Sequence, residues 1–238
     1  MDGKYEVNKL KKMGKMNCEA IEEDKTDMGI SVKENEMMSV GKTAKSDITL
    51  RIATVEDAAK LLEIYKFYVE TTAITFEYDA PILEEFERRI SKTLKRYPYL
   101  VAESDGEIVG YAYVSAFHER PAYDWAVETS IYIRKDCKCM GIGRMLYEAL
   151  EKILMKQNIL NMEACIAYPT DGVEDEHLTL DSVKFHEKMG YRMVGEFKKC
   201  GYKFDNWYGM VWMEKHLGEH GVPHPAVLPF EEVRRNWE

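Results

Sequence analysis

Residues 130–154 read SIYIRKDCKCMGIGRMLYEALEKIL, and the spacing of their apolar residues changes partway along. Apolar residues alternate at the start of this stretch, at Ile131 and Ile133, which is the period of a β-strand. From Ile142 onward the apolar residues follow the period of an amphipathic helix. Between the two patterns stand two glycines, Gly141 and Gly143, so a strand enters a helix through a glycine turn. Unpaired N–H groups and the helix dipole favour an anion there, so the turn predicts a phosphate site.

Two familiar nucleotide-binding motifs do not fit this turn. A Walker-type loop would continue with Gly-Lys-Ser/Thr, whereas Arg144 and Met145 follow here. A dinucleotide fingerprint needs a third small residue where Leu146 stands, and it opens a βαβ unit rather than following a run of strands. From Gly-x-Gly alone, a turn that merely needs flexibility is an equally good interpretation.

The composition limits the classes of function. The chain has 238 residues, of which 45% are hydrophobic and 32% charged, with a net charge of −9, and this suits one domain plus appendages. The acidic balance argues against non-specific nucleic-acid binding and against docking on an anionic membrane. Five scattered cysteines and the absence of a long apolar run predict a cytoplasmic protein. Cys137 and Cys139 have no second pair at zinc-finger spacing, so we predict no metal.

The chain divides into three regions. Residues 1–47 are rich in charge and are interpreted as a weakly structured or partly helical extension. Residues 48–215 carry the pattern β-α-α-β-β-β-α-β-α-β-β, which predicts an α/β (α+β) fold with a mixed, mostly antiparallel sheet of six to seven strands and about four helices. Residues 216–238 form a tail with enough apolar side chains to pack on the domain or on a partner subunit.

The order of elements and the stretch IYIRKDCKCMGIGRMLYEAL resemble the GNAT superfamily of N-acetyltransferases. Its signature Arg/Gln-x-x-Gly-x-Gly/Ala binds the pyrophosphate of acetyl-CoA, and here it reads Lys138-Cys-Met-Gly141-Ile-Gly143. Four stretches, TAITFEYDAP, AYDWAVETSIYI, FHEKMGY and GYKFDNWY, are similar to the phosphinothricin-acetyltransferase-like branch. Such enzymes acetylate the amino group of small amino-acid-like substrates. The resemblance covers about residues 48–215 and implies acetyl-CoA as co-substrate.

The resemblance implies two residues in the chemistry. Amines are mostly protonated at neutral pH, so acetyl transfer needs a base, and the resemblance assigns that role to Glu128. The residues alone leave open that Glu128 faces solvent. Many relatives place a proton-donating Tyr four residues before the glycine of the last helix, and His186 holds that position before Gly190. An imidazolium there could protonate the departing thiolate, and packing beside Phe185 is an equal alternative.

The resemblance also implies a cofactor-binding set. The pantetheine arm would pair with the backbone of the strand, and an oxyanion-binding N–H is expected near Ile131, where two parallel strands splay apart. Ser182 falls at a cofactor-contacting position, but the Asn that precedes it in relatives is missing, so capping its helix is an alternative. The predicted set is Ile131, Ile133, Lys138, Met140, Gly141, Ile142, Gly143, Arg144 and Ser182.

The acceptor end is implied by positions that shape the amino-acid pocket in similar enzymes. Arg120 suits a substrate carboxylate or phosphinate because its planar fork binds such groups in two places, although a surface arginine is an equal alternative. Asp124 stands where some relatives have a second Arg, so substrate identity does not transfer. The predicted set is Phe76, Tyr111, Arg120, Tyr123 and Trp125.

These expectations together predict an acetyl-CoA-dependent N-acetyltransferase of a small amino acid or analogue, working by direct attack in a ternary complex and possibly as a homodimer. The alternatives are a protein or peptide N-terminal acetyltransferase and a non-catalytic acetyl-CoA-binding module.

Overall fold

The computed structural model describes residues 48–235, so the predicted extension of residues 1–47 lies outside the described part. Seven strands form one sheet in the order β1-β2-β3-β4-β5-β7-β6. Among the described strands, only β4 and β5 pair in parallel. The strands are β1 Ile48–Ile52, β2 Tyr99–Ser104, β3 Glu107–Ala116, β4 Ala126–Ile133, β5 Asn161–Tyr168, β6 Arg192–Lys203 and β7 Asn206–His216.

Helices cover both faces of the sheet. Helices α1 and α2 bury residues such as Leu61 and Ile90 against one face, together with Val101 of β2. On the other face, α3 buries Leu150 against a core that includes Val127 of β4. The α-helices of the described chain are α1 Ala58–Thr71, α2 Leu83–Leu94, α3 Ile142–Lys156, α4 Asp181–Lys188 and α5 Phe230–Arg234.

The parallel pair is short and then opens. Strands β4 and β5 pair only at Ala126 with Asn161, Val127 with Met162, and Glu128 with Glu163. Both strands continue beyond this point, β4 to Ile133 and β5 to Tyr168. Their facing edges therefore diverge after Glu128 and leave a cleft in the middle of the sheet.

The C-terminal tail packs on its own domain. Phe230 and Val233 of α5 are buried in the core on the α3 side of the sheet. The side-chain amide of Gln157, at the end of α3, donates a hydrogen bond of 3.0 Å to the carbonyl of Leu228. Burial of the Phe230 ring is the main contribution that stabilises the packed tail, at roughly 1.5–3 kcal/mol for such a side chain.

The predicted fold class is confirmed. Strands β2 and β5 begin and end where the alternating apolar pattern places them. The short helix α5 and the extension of β6 to Lys203 were not predicted. In the part of the chain that the structure describes, no helix has the length and apolar character needed to cross a membrane.

Candidate active site

The glycine turn forms an anion cradle at the start of α3. Gly141 is the N-cap residue and has φ 83°, in the left-handed region that residues with a Cβ seldom adopt. The N–H groups of Ile142, Gly143 and Arg144 lie in the first turn, where an α-helix offers them no acceptor. Together with the dipole of a helix of 15 residues, these donors can hold a phosphate group.

Gly143 has a packing role that the sequence did not reveal. A Cβ at this position would stand 3.1 Å from the Phe185 ring of α4 and 3.4 Å from Cδ1 of Ile131. A separation of 3.1 Å is tighter than ordinary carbon contact. The glycine therefore lets α3 approach α4 and β4 closely, and this brings the cradle next to the opening between the strands.

The predicted cationic residues stand at the rim of the cradle. Arg144 is 60% exposed, and its guanidinium lies 3.7 Å from Glu148 one turn further along α3. The ammonium of Lys138 lies 5.3 Å from the centroid of the Tyr68 ring, a cation–π distance. Met140 is 52% exposed. Both cations are accessible to a bound anion, and neither is buried in the fold.

The diverging strands enclose a cavity of about 60 Å³. Its walls come from both strands, and it is closed on the α3 side by Tyr147, Ser182 and His186. The carbonyl of Ile133 already accepts a hydrogen bond of 2.5 Å from the Tyr68 hydroxyl, so one of its lone pairs is occupied. The strand residues that line the cavity are Thr129, Ser130, Ile131 and Tyr132 of β4 and Ala164, Cys165, Ile166 and Ala167 of β5.

Glu128 is the last residue of β4 that pairs with β5, directly before the strand residues that line this cavity, and it projects from the α1–α2 face of the sheet. It stands opposite Ser115 of β3 and opposite Glu163 of β5. Burial raises the pKa of its carboxyl group above the ordinary value. Within residues 48–235, no group forms a hydrogen bond or an ion pair with the Glu128 carboxylate. An acceptor of this kind is suited to taking a proton from a bound amine.

The Cys165 thiol lies close enough to Glu128 for the carboxylate charge to affect the pKa of the thiol. Burial first, and then the Glu128 and Cys200 groups, raise the pKa of Cys165 to about 12. The side chain is therefore a neutral thiol at physiological pH, and it does not supply a thiolate nucleophile.

His186 is buried and neutral, which conflicts with the imidazolium expected from the sequence. It is 3% exposed. Its Nδ1 lies 2.7 Å from the carbonyl of Ser182, which can only accept, so Nδ1 carries the proton. Its Nε2 then accepts a hydrogen bond of 2.9 Å from the Tyr147 hydroxyl. Desolvation lowers the pKa of His186 to about 4, so the ring is uncharged at neutral pH.

A side-chain bridge replaces backbone pairing where the strands diverge. The Thr129 hydroxyl donates a hydrogen bond of 3.1 Å to the carbonyl of Glu163. The Tyr191 and Tyr147 hydroxyls each lie 3.4 Å from Oγ1 of Thr129. The group links β4 to β5 directly, and it also connects them to α3 through Tyr147 and to the segment between α4 and β6 through Tyr191. Sequence reasoning missed Thr129, because a threonine in a strand carries no distinguishing signal.

The predicted acceptor residues separate into two groups. Tyr123 is 40% exposed and packs against Phe117 with ring centroids 5.8 Å apart. Phe117 also contacts Trp212 at 5.5 Å, so an aromatic row crosses the Glu128 face of the sheet. Arg120 is exposed in the loop between β3 and β4 that also carries Tyr123, and the Phe76 ring lies against the backbone of Gly201. Trp212 was not predicted, because its strand gave no indication of which face it would occupy.

Two predicted acceptor residues lie elsewhere. Tyr111 is fully buried in the core beneath α1 and α2, with its ring stacked on Tyr99 at 5.7 Å. Trp125 turns toward the tail, and its indole N–H donates a hydrogen bond of 2.9 Å to the carbonyl of Pro225. Both placements argue against direct contact with an acceptor.

Comparison with known proteins identifies the family to which the chain belongs. Residues 50–212 match the family model of the GNAT acetyltransferase domain. A phosphinothricin N-acetyltransferase of Streptomyces viridochromogenes is 30% identical over 186 residues, which cover 78% of this chain and 96% of that protein. An L-methionine sulfoximine/L-methionine sulfone acetyltransferase of Salmonella typhimurium is 26% identical over 177 residues, covering 74% of this chain and 98% of that one.

Among solved structures, a GNAT superfamily phosphinothricin acetyltransferase from Sinorhizobium meliloti, crystallised with acetyl-CoA, superposes with a TM-score of 0.69. It is 32% identical and covers 77% of this chain and 96% of its own. The chain therefore belongs to the GNAT family of acetyltransferases, as its glycine turn and order of elements predict.

Proposed function

We propose that the protein transfers the acetyl group of acetyl-CoA to the amine of a small amino acid or amino-acid analogue, of the phosphinothricin or methionine-sulfoximine kind. The observation that carries the proposal is the position of Glu128. A partly buried carboxylate stands at the mouth of the opening between β4 and β5, on the strand that leads to the anion cradle. The relatives named for these two acceptors support the acceptor class.

The residues present fit acetyl-CoA. The N–H groups at 141–144 would hold its diphosphate, and Lys138 and Arg144 would add positive charge at the rim. The edge of β4 beyond Glu128 has no strand partner on the β5 side, so its backbone groups are available to the pantetheine arm. Ser182, at the cavity wall, lies on the same route.

The reaction needs a neutral amine and a departing thiolate. In our proposal Glu128 takes a proton from the substrate ammonium group, and the freed amine attacks the thioester carbonyl. The carbon–sulfur bond then breaks and the thiolate leaves, while a main-chain N–H near Ile131 stabilises the oxyanion. Since both nitrogens of the neutral His186 are already bonded, we assign to His186 the positioning of Tyr147 and Ser182. As the carbon–sulfur bond breaks, the attacking nitrogen loses its second proton and water relays that proton to the thiolate, while the proton held by Glu128 is released to solvent.

The acceptor would be oriented by its carboxylate or phosphinate. Arg120 has no ion-pair partner within residues 48–235, so its guanidinium is available to such a group. Phe76 and Tyr123 would supply the apolar walls. Tyr111 and Trp125 are left out of this set because of where their side chains lie.

The acceptor class is tested by following thiol release from acetyl-CoA with a panel of amines. The panel contains phosphinothricin, methionine sulfoximine, the standard amino acids, their carboxamides and a short peptide. We expect release with one or more free amino acids and at least about tenfold lower kcat/KM with the matching carboxamide, a loss of about 1.4 kcal/mol. Release only with the peptide would instead indicate a protein N-terminal acetyltransferase.

We also propose a homodimer in the cytoplasm. The first nine residues of the edge strand β6, from Arg192 to Cys200, are all exposed, and Met193, Val194 and Phe197 are among them. An exposed apolar edge strand is a pairing surface that proteins usually cover. Cys137, Cys165 and Cys200 are free thiols, which suits a reducing compartment. A monomeric mass in light scattering at micromolar concentration would dismiss the dimer.

A further inference from the structure

Lys203, near the tip of the β6–β7 hairpin, is a buried cation whose donors are all used on one segment of backbone. It is 3% exposed. Its ammonium donates to the carbonyls of Val69 at 2.7 Å, Thr72 at 3.0 Å and Thr75 at 2.8 Å. An ammonium has three N–H donors, so Lys203 is fully bonded to the end of α1 and the loop that follows.

This arrangement matches the electrostatics of a helix end. The carbonyls at the C-terminus of α1 have no intrahelical partner and carry the negative end of the helix dipole. A cation there is stabilised by both, which offsets the desolvation that lowers the pKa of Lys203. A neutral side chain of similar length would leave the carbonyls unpaired.

Two neighbours of Lys203 contact the same loop. A Cβ at Gly201 would overlap the Phe76 ring, so the ring lies directly on the bare backbone of β6. The carbonyl of Tyr202 accepts a hydrogen bond of 2.6 Å from the Tyr78 hydroxyl. Three consecutive residues of the hairpin therefore each contact the α1–α2 loop.

The loop reaches the candidate active site. Ile74 lines the cavity between β4 and β5. Phe76 is a predicted wall of the acceptor pocket. The hairpin does not itself line that cavity, so its influence on the reaction would pass through the loop.

We propose that Gly201, Tyr202 and Lys203 position residues 72–78 for acceptor binding, with Lys203 as the principal positioning residue. The inference rests on the proposed function, because it needs an acceptor that binds beside Phe76. It goes further because it predicts that the β6–β7 hairpin affects affinity for the acceptor much more than affinity for acetyl-CoA.

The first test compares two alanine substitutions on β6. Gly201→Ala places a methyl group against the Phe76 ring, whereas Gly195→Ala has nothing within 4 Å of the new Cβ. With the best acceptor of the panel, we expect Gly201→Ala to raise the acceptor KM about tenfold, equivalent to about 1.4 kcal/mol. The Kd for acetyl-CoA should change less than twofold, and Gly195→Ala should match the wild type in both.

The second test removes the cation with Lys203→Met. Hydrogen–deuterium exchange over residues 69–80 should become faster than in the wild type, and the acceptor KM should rise more than the Kd for acetyl-CoA. If Lys203→Met does not fold, Gly201→Ala still decides the matter.

The outcomes separate the inference from the proposed function. A wild-type protein inactive with every acceptor would overturn the proposed function. An active wild type, with Gly201→Ala unchanged in acceptor KM or equally impaired toward both substrates, would overturn the positioning role of the hairpin and leave the proposed function standing.

Discussion

Glu128 of β4 stands opposite Glu163 of β5 at the last paired position of the two parallel strands. Residues paired in this way project from the same face of a sheet. Burial raises the pKa of both carboxyl groups above the ordinary value. For Glu163 the neighbouring Glu214 raises the pKa further, whereas for Glu128 burial is the sole cause. The pair thus offers a candidate base and a matched control one strand apart.

Replacing Glu128 by Gln should abolish most of the turnover while leaving cofactor binding intact. Loss of a general base typically costs about 100-fold to 10,000-fold, so kcat should fall by at least about 100-fold. Steady-state kinetics and a titration with acetyl-CoA measure the two effects. Glu163→Gln, the control, should keep kcat within about threefold of the wild type, since a role in binding or packing alone moves kcat little. Equal losses in the two variants would mean that the base is not Glu128 alone.

The same substitution should stabilise the fold at neutral pH. Because the folded-state pKa of Glu128 is raised, its stabilising contribution is present below the unfolded pKa and is lost as pH rises through the folded value. Glu128→Gln removes the cost of the buried charge, so its Tm should exceed that of the wild type at pH 7.5. The difference should vanish below about pH 4, where the wild-type carboxyl group is protonated in both states. Thermal melts across this range would reveal it, and a lower Tm for the variant at pH 7.5 would refute the argument.

His186 should make the protein sensitive to mild acid. Its pKa is lowered to about 4 in the fold against an ordinary value of 6.5. As pH falls from 6.5 toward 4, the unfolded chain binds a proton that the folded one does not, so stability is lost over that window by roughly 3 kcal/mol. In urea titrations, the free energy of unfolding of His186→Gln should fall less between pH 7.5 and 4.5 than that of the wild type. A wild-type free energy of unfolding that is flat from pH 6.5 to 4.5 would contradict the buried neutral state.

A methyl group at Gly141 should damage the anion cradle. The residue has φ 83°, and the left-handed region costs a residue with a Cβ about 1–2 kcal/mol. Gly141→Ala should therefore raise the Kd for acetyl-CoA by about tenfold if the loop relaxes to avoid that cost. Nothing lies within 4 Å of the new Cβ, so a steric clash would not account for the loss. Unchanged binding by calorimetry would show that the cradle tolerates the strain.

Local pattern predicts most of the sheet and its order. The hairpin at Asp105 and Gly106, with both φ values positive, was expected from the dipeptide alone. The hairpin between β6 and β7 was not located so well, because Phe204 and Asp205 take positive φ without the usual Asn-Gly or Asp-Gly signal. Tertiary contacts hold that turn, including the stacking of His177 on Phe204 at 3.9 Å.

The candidate site divides in the same way. Gly141 and Glu128 could be identified from the sequence, because a motif and a family resemblance mark them. The neutral state of His186 could not, since it depends on burial between Tyr147 and Ser182, residues 35 positions apart in the chain. The sequence also does not reveal that Trp125 points away from the acceptor face. Its indole bonds to the C-terminal tail, and residues 216–229 of that tail have no periodic pattern.

Residues 169–180, between β5 and α4, form a loop rich in acidic residues. Asp175 accepts hydrogen bonds from the Tyr208 hydroxyl at 2.8 Å and from Asn206 at 3.1 Å. The N–H of Ala73 donates to the carbonyl of His177 at 3.0 Å. The loop thus connects the β6–β7 hairpin to the end of α1, which a sequence of scattered acidic residues does not indicate.

Binding at the anion cradle is measured by calorimetric titration of the intact protein with acetyl-CoA and, in parallel, with S-acetylpantetheine, which lacks the diphosphate. We expect one acetyl-CoA per chain and at least about 100-fold weaker binding of S-acetylpantetheine, a difference of about 2.7 kcal/mol. Absence of binding by acetyl-CoA, or equal affinity for the two compounds, would contradict the role of the amides at 141–144 and with it the acetyl-transfer mechanism.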